Sequence, residues 1–151
     1  MPLPFSFSGR VEVGAQRDLK GAAVKLEQGL EILKAKRIDR TGLHIHFRAG
    51  AARLVLNTNL LTAIGSGELL VQPKGGGLVV VYRLRFTQML FISLIVFGFL
   101  GPFVLSSANL SSARALVLLA GAWMWLFGGN VALTLIRFPR WIRRTLGTHH
   151  K

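Results

Sequence analysis

Phe86–Leu105 reads FTQMLFISLIVFGFLGPFVL, and the interpretation of the whole chain turns on that stretch. It lies within a longer interval, Arg85 to Arg114, that has no charged residue between its ends. As a helix rising ~1.5 Å per residue, a run of this length spans roughly the 30 Å hydrocarbon core of a bilayer. After the link Ser106–Arg114 comes a second uncharged run, Ala115–Ile136 (ALVLLAGAWMWLFGGNVALTLI), long enough to cross back. The two runs predict a transmembrane helical hairpin over 87–136, with spans at about 86–105 and 115–136.

Working outward, 1–86 is left as one small domain and 137–151 as a tail. The net charge of +13 divides unevenly between them. Residues 1–86 hold thirteen Lys/Arg and all six Asp/Glu, whereas the remainder holds six Lys/Arg and no acid. Arg83 and Arg85 flank the first run, and Arg137, Arg140, Arg143 and Arg144 flank the second, while the link carries Arg114 alone. Basic residues gather on the cytoplasmic side of spans, so both ends are expected there, in a multi-pass protein of a bacterial-type inner (plasma) membrane. The opening residues MPLPFSFS have neither the basic start nor the apolar core of a secretory signal, which agrees with a cytoplasmic domain. The chain has no cysteine, which excludes disulfides, thiolate metal sites and thiol nucleophiles.

Within 1–86 the pattern changes period. Phe5, Phe7, Val11 and Val13 alternate with Ser6, Ser8, Arg10 and Glu12, the period of a half-buried strand. From Asp18, a candidate N-cap, the apolar positions Leu19, Ala22, Ala23, Leu26, Leu30 and Leu33 form one helical stripe, with Lys34, Lys36 and Arg37 closing the helix. Strands are expected at 43–48, where Leu43, Ile45 and Phe47 alternate with His44, His46 and Arg48, then at 53–57, 68–72 and 78–86. Pro73–Gly77 reads as a hairpin turn. The expected fold class is α+β: a small antiparallel sheet with one helix, in the order β-α-β-β-β-β, joined without a linker to the transmembrane hairpin.

The chemistry offered by these residues is sparse. His44 and His46 share one strand face and are the candidate metal ligands, yet no third donor is visibly arranged with them, and a solvated polar face explains both. The glycines at 65–67 and 75–77 precede strands, not helices, which is turn chemistry and not a phosphate loop. No serine lies in a nucleophile-elbow context and no carboxylate pair presents itself, so the chain is not expected to be an enzyme. In the apolar runs Gly98, Gly101, Gly121, Gly128 and Ala132 provide small faces for helix packing, and Asn130 is expected to find a partner on another helix. Trp123 and Trp125 sit at mid-span, where stacking on a cofactor or a neighbouring helix is the alternative to contact with lipid. Arg137, Arg140, Arg143 and Arg144 are candidate contacts to anionic lipids. Basic residues elsewhere are interspersed with acids, which argues against nucleic acid, and no cofactor is implied.

Together these features point to a non-catalytic accessory subunit of a larger membrane complex, energy-transducing (photosynthetic or respiratory) or transporting, with other integral membrane subunits as its partners. The alternative is a membrane-anchored module binding lipid or another small hydrophobic ligand, in an apolar pocket lined by Phe5, Phe7, Leu43, Ile45 and Phe47.

Overall fold

The computed structural model describes residues 5–14, 18–50, 60–107 and 112–147. Five strands and three helices follow one another as β1 (Ser6–Val13), α1 (Leu19–Ile32), β2 (Arg37–Thr41), β3 (His44–Arg48), β4 (Ser66–Lys74), β5 (Gly77–Arg85), α2 (Thr87–Ser107) and α3 (Ser112–Gly147). The strands make one antiparallel sheet ordered β1-β5-β4-β3-β2, so the last strand returns to lie beside the first. The α+β class and the antiparallel sheet agree with the sequence. The expected strand at 53–57 lies outside the described residues.

Local chemistry explains most boundaries. Asp18 caps α1, its carboxylate accepting from the Gly21 amide at 3.0 Å. The helix ends earlier than expected. Lys34 takes a left-handed φ of 59°, which turns the chain out of the helix, so Lys34, Lys36 and Arg37 lie beyond its last turn. Arg37 instead opens β2, a strand that hydrophobic patterning misses because only Ile38 in it is even half-buried. An edge strand pairs on one side only, and this one is placed by its backbone, folded onto β3 by a tight turn in which Gly42 has a φ of 64°. Gly75 and Gly76, at φ 49° and 91°, form the two-residue turn between β4 and β5.

One face of the sheet is buried. Val11, Ile45, Phe47, Leu69, Val71, Val80, Tyr82 and Leu84 meet Ala22, Ala23, Leu26 and Leu30 of α1. A further part of that core comes from beyond the apolar runs. α3 does not stop near Ile136 but continues through Pro139 to Gly147, 36 residues and roughly 54 Å in all. Its last third lays Phe138, Ile142 and Leu146 into the core. The Phe138 ring lies 6.3 Å from Phe47 and nearly parallel to it, 5.3 Å from Tyr82 and 5.3 Å from Trp141. Residues 137–147 are therefore a structural helix and not a tail, because their apolar positions recur at four-residue spacing and find an unfilled part of the sheet.

Two glycines admit that ring cluster. A Cβ on Gly67 would collide with the Phe47 ring, and one on Gly9 would collide with the Tyr82 phenol. Both aromatic rings therefore lie flat over a strand position that has no side chain.

Tyr82 is the one tyrosine in the sequence, and burial raises its phenol above the ordinary value near 10. The folded state thus holds this proton more tightly than the unfolded chain does. The stability so gained is complete below pH ~10 and is lost as pH rises through the folded-state value. Tyrosinate absorbance should accordingly appear at higher pH in the folded protein than in the denatured chain; coincident titrations would contradict the burial of Tyr82.

The two apolar helices pack on one another, and β5 runs into α2 with only Phe86 between them. α3 is long and apolar enough to cross a membrane, and is the one such helix among the described residues. The apolar stretch Thr87–Phe103 of α2 is shorter than that, so the expectation of two equivalent spans is met by α3 alone.

Candidate functional site

Two regions carry the residues singled out by the sequence: the open face of the sheet and the helix pair.

Opposite the buried face, the antiparallel register sets side chains in rows across the strands. One row is Arg37–Arg48–Ser66–Arg85–Ser6 and the next is Asp39–His46–Glu68–Arg83–Ser8. His44 and His46 do share this face, with ring centroids 4.2 Å apart. The register also supplies the third donor that strand spacing does not reveal, since Glu68 pairs directly with His46. His46 Nδ1 lies 3.9 Å from Glu68 Oε1, and the donor atoms of His44, His46 and Glu68 fall within 4.8 Å of one another. That is room for a divalent cation. However, Glu68 Oε1 already accepts from Arg85 Nη2 at 2.8 Å, and Arg83 is its cross-strand neighbour. A bound cation would compete with a guanidinium for the same oxygen.

The remaining polar contacts on this face are of the same kind. Arg37 Nε donates to Asp39 at 3.0 Å, and Arg83 Nη2 to Ser6 Oγ at 3.4 Å. Farther along, the Lys74 ammonium donates to Glu12 and ties the β4–β5 hairpin to β1, holding the Glu12 carboxyl below the usual carboxylate range. The face carries arginines balanced in part by acids, and its chemistry is that of binding charge.

In the helix pair, the structure separates residues the sequence grouped. Trp123 is the residue that faces a neighbouring helix: its indole Nε1 donates to Ser93 Oγ of α2 at 3.1 Å, and its ring stacks on Phe127 at 5.4 Å. Trp125 points away, 81 % exposed. Gly101 is buried and lies near Leu119 of α3, 3.9 Å from where its Cβ would be, whereas Gly98, Gly121 and Gly128 have open space where a side chain would go and Ala132 is exposed. Asn130 bonds within its own helix instead of across to another, donating to the Leu126 carbonyl at 2.6 Å. The amide closes onto the preceding turn because that carbonyl is the nearest acceptor four residues back. Thr134 does the same with the Asn130 carbonyl at 2.8 Å.

Arg137, Arg140, Arg143 and Arg144 all fall on the exposed side of α3, opposite Phe138, Ile142 and Leu146. The proposed pocket residues are dispersed. Ile45 and Phe47 are core, with Phe138 stacked on Phe47, while Phe5 stands edge-on to Phe127 of α3 at 6.0 Å. Sequence reading missed the alignment of Arg37, Arg48 and Arg85, which lie far apart in the chain; knowledge of the strand register was the signal needed to find it.

Comparison with protein-family models, with curated proteins and with solved structures finds no match. The class rests on the fold: an α+β protein that has, among the described residues, a five-stranded antiparallel sheet and three helices, one of them long and apolar enough to cross a membrane.

Proposed function

We propose that this chain is a non-catalytic integral membrane accessory subunit. In this reading α2 and α3 both lie in the bilayer as a hairpin, the sheet is held on the cytoplasmic side against the membrane surface, and the helices dock on other integral subunits of a larger energy-transducing or transport complex. The observation that carries the reading is the continuity of α3 from its apolar stretch into the domain core, where Phe138, Ile142 and Leu146 are buried. Together with the direct passage of β5 into α2, it ties the domain to the apolar helices at two places, which suits a part that is positioned and not one that searches.

Two further observations support docking on neighbours. Large apolar side chains stay exposed on both helices, Phe99 and Phe103 on α2 and Val117 and Met124 on α3 among them. A side chain at Gly98, Gly121 or Gly128 would meet nothing within 4 Å outside its own helix among the described residues, and such positions let a further helix approach closely. The arginines at 83, 85, 137, 140, 143 and 144 against the single Arg114 support the cytoplasmic placement.

Because the chain lacks cysteine, single-cysteine labelling tests the topology without background. Membranes containing the protein should keep it through alkaline carbonate. Ser106→Cys should react with an impermeant maleimide from outside intact cells, and Arg10→Cys only after lysis. The reverse pattern would overturn the topology. Purification in mild detergent followed by native mass spectrometry should then recover a stoichiometric assembly; recovery of the isolated chain would defeat the subunit reading.

A further inference from the structure

A groove of about 960 Å³ opens where the sheet meets the start of α2. Its polar end is formed by Lys36, Arg37, Arg48 and Arg85, and no carboxylate lines it. Two of these cations are partly neutralised, Arg37 by Asp39 at 3.0 Å and Arg85 by Glu68 at 2.8 Å. Lys36 and Arg48 have no side-chain partner among the described residues; both line the groove, and the Lys36 amide donates to the Arg48 carbonyl at 2.8 Å. The groove therefore keeps an excess of positive charge where its walls converge.

The groove also takes in the start of α2. Thr87, the first residue of α2, lines the groove, and its hydroxyl is buried without a hydrogen-bond partner. The 21-residue helix beginning there has no acidic residue in its first turn, so its N-terminal partial charge is also uncompensated. The other end of the groove differs in character: Phe91, 59 % exposed, and Ile92 extend it as an apolar wall along α2. A free phosphate would use the cations and leave that wall bare. A molecule with an anionic head and a hydrocarbon chain uses both.

We propose that this groove is a site for one anionic phospholipid, its phosphate between Lys36 and Arg48 near the start of α2 and an acyl chain along Phe91 and Ile92. Arg137, Arg140, Arg143 and Arg144 contribute nothing to its lining, so the site is separate from the basic side of α3. The proposal rests on α2 lying in the bilayer, which puts the groove at headgroup depth.

The test uses the full chain, delipidated in detergent and titrated with phosphatidylglycerol or with phosphatidylcholine of the same acyl chains, with bound lipid counted by native mass spectrometry. One phosphatidylglycerol should bind in preference to phosphatidylcholine. Lys36→Gln with Arg48→Gln should weaken it about thirtyfold, the effect of removing two charges near an anionic head. Arg137→Gln with Arg140→Gln should leave it in place, and excess inorganic phosphate should not displace it. Equal binding of the two lipids, retention by the Lys36/Arg48 variant or displacement by phosphate would each overturn the site. Alkaline carbonate extraction of the wild-type protein separates the failures: a protein released by carbonate defeats the membrane reading itself, whereas one that stays yet shows no lipid preference defeats the groove alone.

Discussion

Replacing Phe138 by alanine is expected to destabilise the folded domain by about 3–5 kcal/mol, the usual cost of deleting a large aromatic side chain from a core. Phe138 is fully buried, and its ring brings α3 against Phe47 of β3 and Tyr82 of β5 while packing on Trp141 of its own next turn. Its removal leaves a cavity that cannot collapse easily, because strands fix two of the walls and α3 is held above by Ile142 and Leu146. The loss is large beside the ~5–15 kcal/mol that domains of this kind possess. Denaturant unfolding in detergent, followed by tryptophan fluorescence, gives the comparison. Arg140→Ala, exposed on the same turn of the helix, should shift stability by no more than about 0.5 kcal/mol. If the two variants behaved alike, residues 137–147 would be a tail after all.

The second large effect is expected at Gly67. An alanine there places its Cβ against the Phe47 ring, with Leu84 Cδ2 3.1 Å away on the other side. Neither neighbour is free to retreat, since Phe47 and Leu84 are both buried, so overpacking should cost about 1–3 kcal/mol. The sign of the coupling to Phe138 is also determined. In the Phe138→Ala background the Phe47 ring gains space to move into, and Gly67→Ala should then cost less than it does in the wild type. A double-mutant cycle measures this. Strict additivity would show that Gly67 and Phe138 do not share one packing arrangement, contrary to the ring geometry.

The parts legible in the sequence are those governed by short-range pattern. Alternation revealed β1 and β3, and the apolar stripe after Asp18 revealed α1, because burial of one face imposes a period that the residues must display; turn signals marked off β4, and β-branched and aromatic content marked β5. The glycines at 75 and 76 announced their hairpin through the positive φ that other residues resist. β2 was illegible for the converse reason. An edge strand carrying Arg37, Asp39 and Arg40 buries almost nothing, so no period marks it, and it is placed by backbone pairing with β3 and by the Arg40–Glu27 ion pair to α1.

In the same way, His44 and His46 could be read as neighbours because they are two apart on one strand. Glu68 could not be added to them without the register of β3 against β4. The pair Trp123 and Trp125 shows the limit on helices. Composition marks both as unusual within the apolar run, but the packing of α2 on α3 selects Trp123 for the bond to Ser93 and leaves Trp125 outward.

What the sequence determined by itself is the division of the chain into a patterned α+β part and two uncharged apolar runs, since hydropathy and charge are properties of composition alone. Only the tertiary structure decided where the second run's helix ends. The four arginines after Ile136 speak for a solvated tail, yet Phe138, Ile142 and Leu146 lie on the opposite side of the same turns and enter the core. Whether a short amphipathic segment docks depends on an unfilled surface elsewhere in the molecule, here the sheet face over Gly9 and Gly67, which no local pattern in that segment can reveal.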